Sequence, residues 1–86
     1  MEINKLIEIV KEKISREIIL QEINVEDKSF LHEGHKNNSP NKFHIKIIII
    51  SDELKSKKKI DSTKRIYKIL ENELKNYIHS LQLSIN

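Results

Sequence analysis

Apolar residues recur over the first turns of the chain at helical spacing. Ile3, Leu6, Ile7, Val10 and Ile14 fall at i, i+3, i+4, i+7 and i+11, which predicts one amphipathic helix over residues 2–16. Glu8, Lys11, Glu12 and Lys13 lie largely off that stripe and face water. From residue 18 the period shortens to two. Ile19, Ile23 and Val25 share a parity, which predicts a strand over 18–26. Residues 27–42 hold the only glycine, the only proline and the run Asn37-Asn38-Ser39-Pro40-Asn41. A loop of about fifteen residues is long for a compact domain, and such loops tend to carry function.

Phe43 to Ile50 is the clearest strand. Phe43, Ile45, Ile47 and Ile49 share one face; His44, Lys46, Ile48 and Ile50 share the other. The second face turns apolar at its end, where a helix is expected to cover it. Residues 51–56 read as a polar turn. Ile60, Thr63, Ile66 or Tyr67, Leu70 and Leu74 form the stripe of a second helix over 60–76, capped by Asp61 or an earlier residue. Residues 78–85 alternate again, with His79, Leu81, Leu83 and Ile85 on one side. The order is α-β-β-α-β. Two helices on one face of a three-stranded mixed sheet make a single two-layer α+β domain spanning 1–86.

The chain has 86 residues and seventeen isoleucines but no cysteine. A domain of this size has a thin core and here no disulfide to stabilise it. No apolar run approaches the roughly 20 residues of a membrane span. The opening Met1-Glu2-Ile3-Asn4-Lys5 lacks a signal-peptide core. A soluble, cytoplasmic protein is expected.

Nucleophilic and phosphate-cradling chemistry find no support. No thiol is present, and one glycine cannot build a nucleophile elbow, a dinucleotide fingerprint or a Walker loop. Asp52 and Glu53 pair in sequence, but within a polar turn where solvation explains them. The clamp loop G-x-x-G of KH domains is missing. Stacking aromatics are scarce, and Phe43 and Tyr67 read as core. A non-enzymatic protein is expected.

Two sets of residues remain. Histidine is the commonest neutral metal ligand, and His32, His35, His44 and His79 are available. His44 reads as a surface strand residue. His79 reads as a partly buried residue at the edge of the core. His32 and His35 form a His-x-x-His in the loop, a weak metal signal without a third fixed ligand. The net charge is +3, and the excess is local: Lys55, Lys57, Lys58 and Lys59, then Lys64, Arg65 and Lys68. That segment suits a polyanion by counterion release, although a solvated helix face explains lysine runs equally well.

Four segments in order resemble the BolA family. Residues Asp27 to His32 are similar to its D-E-S-x-x-H, and Phe43 to Ser51 to its H-F-x-V-x-x-V-S. Arg65 to Glu73 resembles R-x-V-Y-x-x-L-x-x-E, and Ile78 to Leu83 resembles V-H-A-L-x-I. The resemblance implies a KH-like fold, class II in arrangement, without the G-x-x-G loop. It also implies pairing with a monothiol glutaredoxin around a shared [2Fe-2S] cluster that the partner and glutathione help ligate, none being bound by the isolated chain. Family roles lie in iron–sulfur assembly or trafficking, iron regulation and, in some members, transcription regulation. Carried over, the ligands on this side are His79 and His32, with His35 as the substitute. Imidazole ligation would raise the potential of the cluster and make it pH-sensitive. The alternative is a DNA-binding regulator using the helix 60–76 with Lys57, Lys58, Lys59, Lys64, Arg65 and Lys68. A monomer or weak homodimer is expected in isolation. Lys42 replaces the histidine before the strand phenylalanine, Lys64 the histidine before the helix arginine, and Leu54 a phenylalanine after the strand.

Overall fold

The computed structural model describes residues 1–29 and 42–86. His32 and His35 therefore lie outside the described residues. The elements are α1 (Ile3–Glu17), β1 (Glu22–Asp27), β2 (Phe43–Ile50), α2 (Asp52–Lys55), α3 (Lys59–Ile69), α4 (Glu71–Asn76) and β3 (Ile78–Ile85). The sheet order is β1-β2-β3, antiparallel between β1 and β2 and parallel between β2 and β3. This is a mixed three-stranded α+β fold, as the hydrophobic periods indicate.

The helices pack on one face of the sheet. Leu6, Val10 and Ile14 of α1 are fully buried against Val25, Ile45, Ile47 and Ile49, with Ile66 and Leu70 completing the layer. The stripe of α1 is the one its spacing predicts. Leu54 is buried in the same core, so the exchange of a larger apolar residue there is absorbed by packing. The opposite face carries no helix over Ile48 and Ile50: the first is half-buried and the second exposed.

Three elements depart from the periodic reading. The strand predicted from residue 18 begins at Glu22, and Ile19 is 73% exposed. Residues 18–21 instead connect α1 to the sheet, and that connection is pinned. The Ser51 hydroxyl donates to the Ile19 carbonyl at 2.7 Å and accepts from the Leu54 amide, while Gln21 accepts from the Asp52 amide. Ser51 thus caps α2 where a plain turn is expected. The second helix is interrupted at Leu70, which leaves helical geometry (φ −97°, ψ 15°) while staying buried. Lys58 opens α3 without a side-chain cap, and Asp61 sits within the first turn. The buried face of α3 is Ser62, Ile66 and Leu70, not a stripe through Ile60 and Tyr67, which are 61% and 41% exposed. The anchor is Ser62, whose hydroxyl donates to the Leu54 carbonyl at 2.8 Å and rotates the helix about its axis.

Glu73 of α4 ties the two helical segments together. Buried to 3% exposure, it receives both of its short bonds from the Lys13 ammonium of α1, at 2.8 and 2.9 Å. Burial alone would raise its pKa. The bonds from Lys13 and Asn72, its own backbone N–H and the Lys13 charge outweigh that and hold the carboxyl below its ordinary value.

Candidate functional site

The start of β3 is irregular, and the irregularity positions a histidine. Phe43 pairs with Ile78, but His44 pairs with Ser80. His79 is therefore an extra residue, a β-bulge of the kind that re-aims a side chain. Ile78 is buried, and the next core-facing residue is Leu81, three positions on rather than two. The bulge removes His79 from the side of Leu81, Leu83 and Ile85, where alternation places it, and leaves it exposed. Its ring lies against that of His44, with centroids 4.9 Å apart and planes tilted by 51°.

His44 is the residue that periodicity misreads. Its parity assigns it to the solvent side of β2, yet it is 3% exposed. Its Nδ1 lies 2.6 Å from the Ser80 hydroxyl, and its backbone amide donates to the Ser29 hydroxyl at 3.1 Å. Ser29 is itself placed by Asp27, whose carboxylate accepts the Ser29 amide at 2.9 Å, while Lys28 donates its amide to the His44 carbonyl. The end of β1, the start of β2 and the bulge of β3 thus meet at two imidazoles. Hydrogen-bonding the far ring nitrogen to fix an imidazole is the usual arrangement around metal-binding histidines.

Among the described residues no cluster of three or more His, Cys, Asp or Glu is positioned to hold a metal ion. His44 and His79 are the imidazoles in contact, and the chain has no thiol. The described residues fit one side of a metal group whose other ligands come from elsewhere.

The lysine-rich segment lies at the other end of the same strand. Lys55, Lys57 and Lys59 surround a cavity of about 120 Å³ floored by Leu54, Ser62 and Ile85. Ile85 ends β3 and His79 begins it, a separation of roughly 20 Å at about 3.3 Å per residue. Lys55, Lys57, Lys58, Lys59, Lys64 and Lys68 are exposed and make no ion pair among the described residues. Arg65 differs. Its guanidinium donates to the Glu17 carbonyl at 2.7 Å and lies 3.7 Å from the Glu53 carboxylate, whose other oxygen accepts the Ile19 amide. Arg65 joins α1, α2 and α3 and leaves the set of cations offered to a polyanion.

A family model described as BolA-like protein matches residues 14–86. The chain belongs to the BolA family. It is 32% identical over 78 residues to the DNA-binding transcriptional regulator BolA of Haemophilus influenzae, covering 91% of this chain and 73% of that protein. It is 30% identical to the SufE-like protein 1 of Arabidopsis thaliana, but spans only 21% of that longer protein. The solved BolA domain of SufE1 from the same plant superposes with a TM-score of 0.74 at 31% identity, covering 90% of this chain and 85% of that one. BolA1 from Arabidopsis thaliana gives a TM-score of 0.79 at 24% identity, over 93% and 88% of the two chains, and supports the fold.

The BolA frame also corrects two registers. Counted back from Ser51, the pattern H-F-x-V-x-x-V-S sets its histidine at His44, so Lys42 replaces nothing. Counted from Tyr67, R-x-V-Y sets its arginine at Lys64, and Arg65 is the variable position. Both histidines of the contact pair thus occupy motif positions, and spacing from Ser51 is the signal that finds His44.

Proposed function

We propose that this BolA-family chain is a non-enzymatic adaptor that pairs with a monothiol glutaredoxin and shares a [2Fe-2S] cluster with it, in iron–sulfur cluster assembly, trafficking or iron regulation. The observation that carries the reading is the exposed His79 imidazole, set on a bulge and resting on a buried, hydrogen-bonded His44 in a chain without a thiol. Two imidazoles cannot complete a four-ligand set. A partner that brings thiolates completes it.

Each residue has a distinct role. His79 reaches outward as the ligand. His44 supports its ring, and Ser80 and Ser29 hold His44. His32, or His35 in its place, is the second ligand that the family resemblance assigns. When bound, a cluster with mixed imidazole and thiolate ligation supplies one-electron chemistry at a higher potential than an all-thiolate one.

The test is visible absorption and circular dichroism of this protein mixed with [2Fe-2S]-loaded monothiol glutaredoxin and glutathione. Wild type is expected to change the cluster spectrum and form a one-to-one complex, with His79→Ala abolishing both. An unchanged spectrum and no complex for wild type would overturn the reading.

A second reading is a DNA-binding regulator. It is favoured by the unpaired lysines at the far end of β3 and by the name of the Haemophilus influenzae relative. Its contacts are Lys57, Lys58, Lys59, Lys64 and Lys68, with Arg65 excluded by its bonds to Glu17 and Glu53. Duplex affinity that falls steeply with salt supports it; salt-independent or absent binding removes it.

A further inference from the structure

The two edges of the sheet are built differently. β1, at one edge, reads Glu22-Ile23-Asn24-Val25-Glu26-Asp27, half of it acidic, and Glu26 pairs with Lys28 at 3.1 Å. Charges of this kind protect an edge from pairing with another chain. β3, at the other edge, reads Ile78-His79-Ser80-Leu81-Gln82-Leu83-Ser84-Ile85. It contains no Asp, Glu, Lys, Arg or Pro, in a chain in which 34% of residues are charged. From Ser80 to Ile85 its pairing with β2 is regular. Among the described residues no backbone group bonds to its outer edge.

We infer that the outer edge of β3 is a strand-addition site, and that its occupant is β3 of a second copy of this chain. Three observations select a copy. First, the strand is self-complementary. A two-fold antiparallel pairing sets neutral side chains opposite neutral side chains, with no like-charge contact to oppose it, and nothing on the strand selects a charged partner. Second, Leu81, Leu83 and Ile85 pack on the core but remain half-buried at its border. A second β3 continues the apolar layer across the seam and covers them. Third, the edge is rigid before pairing. Ile78 is buried at one end, and at the other Asn86 donates to the Ile49 carbonyl at 2.8 Å and accepts from the Ser51 amide at 3.0 Å. A preorganised strand loses little entropy on pairing. The product is a closed dimer with a continuous sheet, because the acidic β1 edges left outside do not propagate it.

The test uses the chain alone, so it is independent of the cluster reading. Sedimentation equilibrium is measured from micromolar to millimolar concentration for wild type and for Gln82→Lys/Ser84→Lys, with far-ultraviolet circular dichroism confirming the fold. Both replaced residues lie on the helix-free side of the strand. Wild type is expected to dimerise, and the variant to dimerise roughly tenfold or more weakly, since like charges then face each other. Amide exchange at residues 80–85 of wild type is expected to slow with concentration. A monomer throughout, or dimerisation unaffected by the lysines, overturns the inference. So does slowed exchange that appears only when a glutaredoxin is added, which would give the edge to that partner instead.

Discussion

The two ends of β3 offer contrasting surfaces. At its start, two imidazoles are held by a bulge, by the Ser80 and Ser29 hydroxyls and by the turn at Asp27. At its end, lysines stand exposed around a small cavity with no partner side chains holding them. The first end is assembled from three segments far apart in sequence and fixes direction. The second is assembled from one contiguous segment and supplies charge without direction. Oriented groups suit coordination, where distance and angle decide binding; diffuse charge suits polyanions, where counterion release dominates and geometry matters little.

Ser80→Ala breaks the contrast most sharply. It removes the Nδ1 partner of buried His44 while leaving His79 in place. Complex formation with cluster-loaded glutaredoxin is expected to weaken roughly ten- to hundredfold, as when supporting hydrogen bonds around metal ligands are removed. Titration followed by visible circular dichroism reads it. An effect below twofold would mean that the first end is not held in the way described. Replacing Lys57, Lys58 and Lys59 by Gln tests the other end. Duplex affinity, if the second reading holds, is expected to drop with a log–log salt slope shallower by about 3. The glutaredoxin complex is expected to be unchanged. Coupled losses would merge the two ends into one surface.

Lys13→Met acts on the support of the first end, because Glu73 precedes Tyr77, whose carbonyl receives the Phe43 amide at 2.9 Å. The expected loss is about 1–2 kcal/mol, since Lys13 is itself part-exposed. That is a fall in Tm of roughly 5–10 °C. Glu73 has a depressed pKa in the folded state, so its contribution is full above the ordinary value of 4.5 and fades as pH falls through the depressed one. The deficit of the variant is therefore expected to narrow in acid. Urea melts at neutral pH and well below 4.5 check it; a constant deficit would assign the loss to packing.

Much of this fold is legible in the chain because hydrophobic period is a local property. Residues 43–50 and 78–85 read as strands and are strands, and the stripe of α1 is buried as spaced. The misreadings share a cause. A bulge is a property of two strands together, so alternation within β3 cannot show that His79 is extra. His44 is buried on a face that alternation assigns to water, because Ser29, Ser80 and His79 converge there from three segments. Ser62 turns α3 toward Leu54 through one hydroxyl, exposing Ile60 and Tyr67 that the stripe assigns to the core. Arg65 reads as a free cation because its partners, Glu17 and Glu53, lie on other helices.

The most direct test of the cluster assignment is a ¹⁵N–¹H spectrum of labelled protein mixed with glutaredoxin carrying the paramagnetic reduced cluster. The expected result is loss of the His44, His79 and Ser80 amide signals, with Lys57, Lys58 and Lys59 unaffected. Broadening centred on the lysines, or none at all, would contradict the placement of the cluster at the bulge of β3.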